Sequence, residues 1–257
     1  MFRLDMYLVS KGYFSSRERA KQAILAQEVF VNGKVAKPSL KIAGDEEIKI
    51  GNVLKYVSRG ALKLEKAKEV FNIDFNDRIV LDIGSSTGGF TEVALLSGAK
   101  KVIAIDVGKD QLHERLRTNE KVSLHEETDF RFAAREIISE ADLIVSDVSF
   151  ISLKNIIPKI IDDLGTKVES VLLFKPQFEC GRALATRFCG VIRDKKVHEE
   201  LLKSFIQYLE NLHFEITGLD YSPITGKSGN IEYLIHLNRG KKNYNIKKVI
   251  DKAFENM

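Results

Sequence analysis

The chain has 257 residues, 44% hydrophobic and 30% charged, with a net charge of +4, which suits a globular protein with one large domain and one small one. No apolar run reaches the roughly 18 residues of a membrane span. The opening Met1–Met6 carries an early acid rather than a secretory core, and Cys180 and Cys189 lack the spacing of a zinc site or disulfide framework. A cytoplasmic chain with reduced thiols, no metal and no membrane partner is expected. The charge is uneven: residues 1–59 hold 11 Lys/Arg against 6 Asp/Glu, and the remainder 29 against 30. A small module that docks on phosphate, joined to a larger one that does chemistry, has this distribution.

In chain order, Arg3–Val9 has helical apolar spacing and Gly12 closes the helix. Ser15 or Ser16 caps a second helix with apolar Ala20, Ala23, Ile24 and Ala26. Val29–Val35 reads as a hairpin turning at Asn32-Gly33, with further short strands at Lys41-Ile42 and Glu47–Ile50. The string RLDMYLVSKGYFSSRERAKQAILAQEVFVNGKVAKPS resembles the S4 RNA-binding domain. The resemblance implies that Arg3, Arg17, Arg19 and Lys21 face RNA, with Arg59 joining them at the entry to the next module. Gln27 departs from the pattern, where glycine is common.

After Gly51-Asn52 the pattern changes. Residues 51–58 read as a linker between the S4-like module at 1–50 and a second, larger domain at 59–257. A helix follows Ser58, its plausible cap, and carries Lys63. Strands are expected at Ile79–Ile83, Val102–Ile105, Val122–Leu124, Leu143–Val145, Val168–Phe174, Phe214–Leu219 and Ile231–Leu237, the last two pairing antiparallel. Helices start near Phe90, Lys109, Phe132, Ser152 and Lys195. The alternation predicts an α/β, Rossmann-like fold, a mostly parallel seven-stranded sheet covered on both faces, after a small α+β domain. Ligands of such sheets bind at the carboxyl ends of strands.

The first strand runs into Asp82-Ile83-Gly84-Ser85-Ser86-Thr87-Gly88-Gly89-Phe90, a glycine-rich turn into a helix. It fits neither the dinucleotide fingerprint nor a Walker loop. The second strand ends at Asp106, about twenty residues beyond, where an acid can accept both ribose hydroxyls of a nucleoside. An adenosine-bearing cofactor without pyrophosphate fits, and S-adenosylmethionine is the obvious candidate.

Four residues add chemistry. Lys63 precedes the first strand, Asp147 and Lys175 end neighbouring strands beside the turn, and Glu232 opens the last strand. Desolvation and a second lysine would lower the pKa of Lys175, while acids would oppose that and orient it. A partly neutral lysine can take the proton of a ribose 2′-OH as that oxygen attacks a methyl group.

The strings VSRGALKLEKA, LDIGSSTGGFTE, AIDVGKDQL, DLIVSDVSFISL, LLFKPQFECGR, GVIRDKKVHEELL and GNIEYL resemble the haemolysin-A-like (TlyA) ribosomal RNA methyltransferases, within the FtsJ-like 2′-O-methyltransferase fold. With the S4 module the resemblance covers residues 2 to about 238. It implies a Lys-Asp-Lys-Glu tetrad at Lys63, Asp147, Lys175 and Glu232. It also implies S-adenosylmethionine binding by Asp82, Gly84, Ser85, Ser86, Thr87, Gly88, Gly89, Phe90, Asp106, Asp129 and Asp147, and methylation of cytidine ribose in ribosomal RNA within ribosomal subunits. Ala61 stands where glycine is frequent, and Asp129 where asparagine is.

The tail from Arg239 holds 6 Lys/Arg against 2 Asp/Glu, and Ile246, Val249, Ile250, Ala253 and Phe254 fall on one helical face. That face should pack on the large domain, leaving Lys247, Lys248 and Lys252 to extend an RNA surface. Competing readings are a membrane-active haemolysin and a non-catalytic, RNA-binding ribosome-assembly factor.

Overall fold

A computed structural model of the chain describes residues 2–14, 16–25, 29–37, 40–51, 56–226 and 228–257. Ser15, Ala26, Gln27 and residues 52–55 of the expected linker lie outside the described residues. Two compact units divide the chain, residues 1–55 and 56–257.

The smaller unit runs β1 (Phe2–Arg3), α1 (Leu4–Ser10), α2 (Arg17–Leu25), β2 (Val29–Val31), β3 (Lys34–Val35), β4 (Lys41–Ile42) and β5 (Ile48–Ile50). The α1 terminus closes as expected: Gly12 N–H donates to Val9 and Tyr13 N–H to Leu8. Ser16 caps α2, its Oγ accepting from Arg19 N–H at 3.3 Å. The hairpin turns at Asn32-Gly33, and β2 pairs antiparallel with β3 and β5. The β1–β4 pairing was not anticipated, because two-residue strands carry no periodic signal. Leu4, Leu8, Ala20, Ala23, Ile24, Val29, Val31, Ala36 and Ile42 form the core.

The larger unit runs α3 (Ala61–Phe71), β6 (Ile79–Ile83), α4 (Gly89–Leu96), β7 (Lys101–Ile105), α5 (Glu114–Arg117), β8 (Val122–His125), α6 (Arg135–Ile138), β9 (Leu143–Ser146), α7 (Ile157–Leu164), β10 (Glu169–Phe174), α8 (Pro176–Glu179), α9 (Gly181–Arg187), α10 (Lys195–Asn211), β11 (Ile216–Tyr221), β12 (Tyr233–Leu237) and α11 (Ile246–Asn256). The sheet has seven strands in the order β11-β12-β10-β9-β6-β7-β8. β12 alone runs against the other six strands, so the carboxyl ends of β6, β7, β9, β10 and β11 and the amino end of β12 share one edge. Side-chain alternation builds a core on each face: Leu172, Phe174, Tyr233 and Ile235 join α10 and α11, while Val171, Leu173 and Leu234 join α3 and α4. Each such buried side chain contributes roughly 1.5–3 kcal/mol of transfer free energy.

Four expectations need correcting. Ser58 does not cap α3 through its side chain: its carbonyl accepts from Ala61 N–H and the helix begins after Gly60. The helix expected near Lys109 starts at Glu114, because Glu126 ties Asp110, Gln111 and Leu112 N–H groups into a loop. Helices α8 and α9 were not foreseen, being too short to show a helical period. Residues 56–58, read as linker, belong to the larger unit: Tyr56 is buried in its core and Val57 N–H donates to Glu92 at 2.5 Å. The tail forms α11, capped by Asn245, with Ile250 and Ala253 buried and Lys247, Lys248 and Lys252 exposed.

Candidate active site

The site is built at the shared strand edge. Asp147 follows β9, Lys175 follows β10, Glu232 immediately precedes β12, and Lys63 projects from the first turns of α3. Lys63 Nζ lies 3.1 Å from Asp147 Oδ2 and 2.8 Å from Glu232 Oε2. Lys175 Nζ lies 2.6 Å from Asp147 Oδ1 and donates to Ser149 Oγ at 2.8 Å. The four sequence-predicted groups therefore form one row, Glu232–Lys63–Asp147–Lys175, in which acids and amines alternate. Lys63, Lys175 and Glu232 are buried, and Asp147 is the most exposed of the row, at 19% of its side chain. Burial lowers the pKa of Lys63, but Asp147 and Glu232 outweigh it, so the group is raised and stays an ammonium.

The glycine turn lies beside this row. Gly88 has φ +95°, a conformation that side chains rarely adopt, and lies against the Leu112 and Leu116 side chains, so glycine suits this turn. A Cβ on Gly89 would approach Ala61 N to 2.8 Å, so glycine lets the start of α4 abut the start of α3. Gly84 and Ser86 also take positive φ, Thr87 is exposed and its carbonyl accepts from His113 N–H, and Phe90 is buried in the core behind the turn. Asp82 is fully buried and takes the Thr91 hydroxyl at 2.6 Å. Burial lifts the Asp82 carboxyl to about 7, against the opposing pull of Thr91. Asp82 Oδ1, Ser85 Oγ and Ser146 Oγ, all buried at this edge, have no hydrogen-bond partner among the described residues.

Asp106 binds the turn from the next strand, accepting Ser86 N–H at 2.8 Å and Gly108 N–H at 2.7 Å. Asp129 is held by Arg131: it accepts the Arg131 N–H and pairs with its guanidinium, which keeps the carboxyl below the usual range. Among the described residues no cluster of His, Cys, Asp and Glu could hold a metal ion.

The sequence did not single out Ser149 or Phe150. Phe150 has φ +65° and is 91% exposed, its ring 5.3 Å from Phe178 and one residue from the serine that holds Lys175. A bulky residue at positive φ is rare, and only a structure reveals it.

In the smaller unit Arg3 and Arg17 both reach Asp5, at 3.0 Å each, and both remain over half exposed. The Arg3 hydrogen bond, helped by Arg17 against burial, pulls the Asp5 carboxyl down to about 2. Arg19 and Lys21 are exposed on α2, and Arg59 is half-buried just before α3.

Residues 56–239 match the family model of the FtsJ-like methyltransferases, and residues 2–48 that of the S4 domain. The chain is 40% identical over 253 residues to the 23S rRNA (cytidine-2′-O)-methyltransferase TlyA of Campylobacter jejuni, covering 91% of this chain and 98% of that one. It is 37% identical over 239 residues to the 16S/23S rRNA (cytidine-2′-O)-methyltransferase TlyA of Mycobacterium tuberculosis, covering 91% and 89%. A solved structure from Streptococcus thermophilus, described as a hemolysin, is 41% identical with a TM-score of 0.77 and covers 99% of this chain and 96% of that one. With its S4 domain in front, the chain belongs to the FtsJ-like methyltransferases, in the branch of the TlyA proteins.

Proposed function

We propose that the protein transfers a methyl group from S-adenosylmethionine to the 2′-OH of a cytidine ribose in ribosomal RNA, within a ribosomal subunit. The observation that carries this reading is the buried row Glu232–Lys63–Asp147–Lys175 beside a glycine-rich strand-end turn. The turn suits the cofactor: Asp82 Oδ1, Ser85 Oγ and Ser146 Oγ are buried polar atoms free to meet its amino-acid end. Asp106 keeps unused lone pairs for ribose hydroxyls while bracing the turn. Bound S-adenosylmethionine supplies an electrophilic methyl group on its sulfonium.

With the cofactor bound, Lys175 in its neutral form would accept the 2′ proton at Nζ as the ribose oxygen bonds to the methyl carbon and the carbon–sulfur bond breaks, S-adenosylhomocysteine leaving as the neutral thioether. Asp147 aims that nitrogen and stabilises the ammonium it becomes. Lys63 stays charged and holds Asp147 in place, while Glu232 balances Lys63. General-base help of this kind is worth roughly 10²–10⁴-fold, and fixing the reactants contributes the rest. The exposed Phe150 ring offers a face on which an unstacked base can lie. Arg3, Arg17, Arg19, Lys21 and Arg59 supply phosphate contacts.

The test is transfer of labelled methyl from S-adenosylmethionine to purified ribosomal subunits, followed by mapping of alkali-resistant linkages. A 2′-O-methylated cytidine is expected. Label on a base, or none on RNA, overturns the reading. Release of dye from liposomes would instead favour membrane activity, although no described helix is long and apolar enough to cross a membrane.

A further inference from the structure

His198 on α10 is buried and takes no part in the charged row, yet one strand ties it to that row. Glu232 points to the α3 face, where Lys63 meets it, and its neighbour Tyr233 points to the opposite face. The Tyr233 hydroxyl lies 2.7 Å from His198 Nδ1, and His198 Nε2 lies 3.0 Å from the Ile192 carbonyl. A carbonyl only accepts, so Nε2 carries the proton, Nδ1 is the acceptor, and the Tyr233 hydroxyl donates. On the other side of Glu232, Asn230 Oδ1 accepts Ile192 N–H at 3.1 Å and Asn230 Nδ2 donates to the Gly190 carbonyl at 2.8 Å. Both flanks of Glu232 are thus fastened to residues 190–198.

The tail helix closes this arrangement. Phe254 of α11 packs edge-on against the His198 ring, 5.1 Å between centroids. Lys195 pairs with Asp251 of the same helix at 3.0 Å, one turn before His198 on α10. Phe254 therefore packs on the ring that receives the Tyr233 hydroxyl, one residue from Glu232.

We propose that His198, Tyr233 and Phe254 are positioning residues that hold Glu232 in register from the far face of the sheet, so that the C-terminal helix supports turnover as well as RNA capture. The inference rests on the reading of Glu232 as part of the methyl-transfer site. Removing the Tyr233 hydroxyl leaves buried His198 Nδ1 unpaired, while β12 keeps its ladders to β10 and β11, so the effect falls on the side chains at its start. A displacement of 1 Å near a reacting centre can cost about 100-fold in rate.

The test uses the full chain, labelled S-adenosylmethionine and purified ribosomal subunits. Tyr233→Phe should lower kcat about 10-fold, with KM for RNA and cofactor Kd unchanged. Phe254→Ala should show the same pattern, and Phe254→Leu, which keeps an apolar cover, should recover most of kcat. In a Glu232→Gln background Tyr233→Phe should cost nothing further, because the two act through one group. If Glu232→Gln alone keeps full kcat, the site reading and this inference fall together. If Glu232→Gln lowers kcat but Tyr233→Phe leaves it intact, raises KM instead, or multiplies the loss in the double variant, the site reading stands and the positioning role is overturned. Should Tyr233→Phe fail to fold, Phe254→Ala decides alone: a fall in kcat at constant KM supports the inference, and an unchanged kcat overturns it.

Discussion

Lys175 Nζ lies 2.6 Å from Asp147 Oδ1, with the two residues at the ends of adjacent parallel strands. The pairing register of β9 and β10 sets this distance, since a shift of one residue would turn either side chain to the other face. Lys175 is accordingly the group aimed by the fold rather than by a flexible loop. Lys175→Ala should abolish methyl transfer and leave S-adenosylmethionine affinity nearly unchanged, measured by single-turnover assay and calorimetry. More than a tenth of wild-type turnover would exclude Lys175 as the base.

Asp106 braces the turn, and on the proposed function it also receives the ribose hydroxyls of the cofactor. Asp106→Ala should weaken cofactor binding by roughly 1–3 kcal/mol, the worth of hydrogen bonds to a charged acceptor. Isothermal titration with S-adenosylmethionine reads the change, and an unaltered Kd would remove Asp106 from the cofactor site.

Asp82 gives a pH signature. Its carboxyl is raised from 3.8 to about 7, mainly by burial, so ionising it costs the ligand-free fold. The cost is absent below the unfolded value and grows as pH rises through the folded one. Ligand-free Asp82→Asn should therefore melt above wild type at about pH 8, and the gap should close towards about pH 4. A gap that does not vary with pH would show that Asp82 is not carrying this penalty.

The sheet was legible in the sequence because buried parallel strands read as unbroken runs such as Val171–Phe174, each ended by a polar residue. Asp147 and Lys175 stood out for that reason, and Asp106 by its distance from the glycine turn. The His198–Tyr233 contact was illegible, since it joins residues 35 apart across a helix and a strand. Phe150 was equally hidden: an aromatic in a sequence reads as core, and its positive φ is set by the surrounding loop. Asp129 entered as a cofactor residue through the family resemblance, and its pairing with Arg131, two residues on, carried no signal of its own in the sequence.

Arg3 and Arg17 converge on Asp5 and keep their outer edges in solvent, a pair suited to one phosphate. Replacing Arg3, Arg17 and Lys21 with alanine should weaken RNA binding and reduce the slope of log K against log salt by about 0.7–0.9 per lost contact. Filter binding across a salt series measures it. An unchanged slope would mean that these side chains do not reach phosphate.

The tail helix has two unlike faces. Its buried face, through Ile250 and Ala253, belongs to the core of the larger unit, so deleting the helix would confound stability with recognition. Lys247, Lys248 and Lys252 instead lie exposed, and their reversal to glutamate leaves the packed face intact. Each lost cation should remove at most one phosphate contact, worth a slope change of about 0.7–0.9, and affinity should fall while kcat at saturating RNA holds. Phe254→Ala should do the opposite. Assaying the large and small ribosomal subunits separately then asks whether the basic face selects between them. A greater loss on one subunit assigns the tail a part in substrate choice; equal activity on both, with KM unchanged, would leave these lysines as a solvated surface.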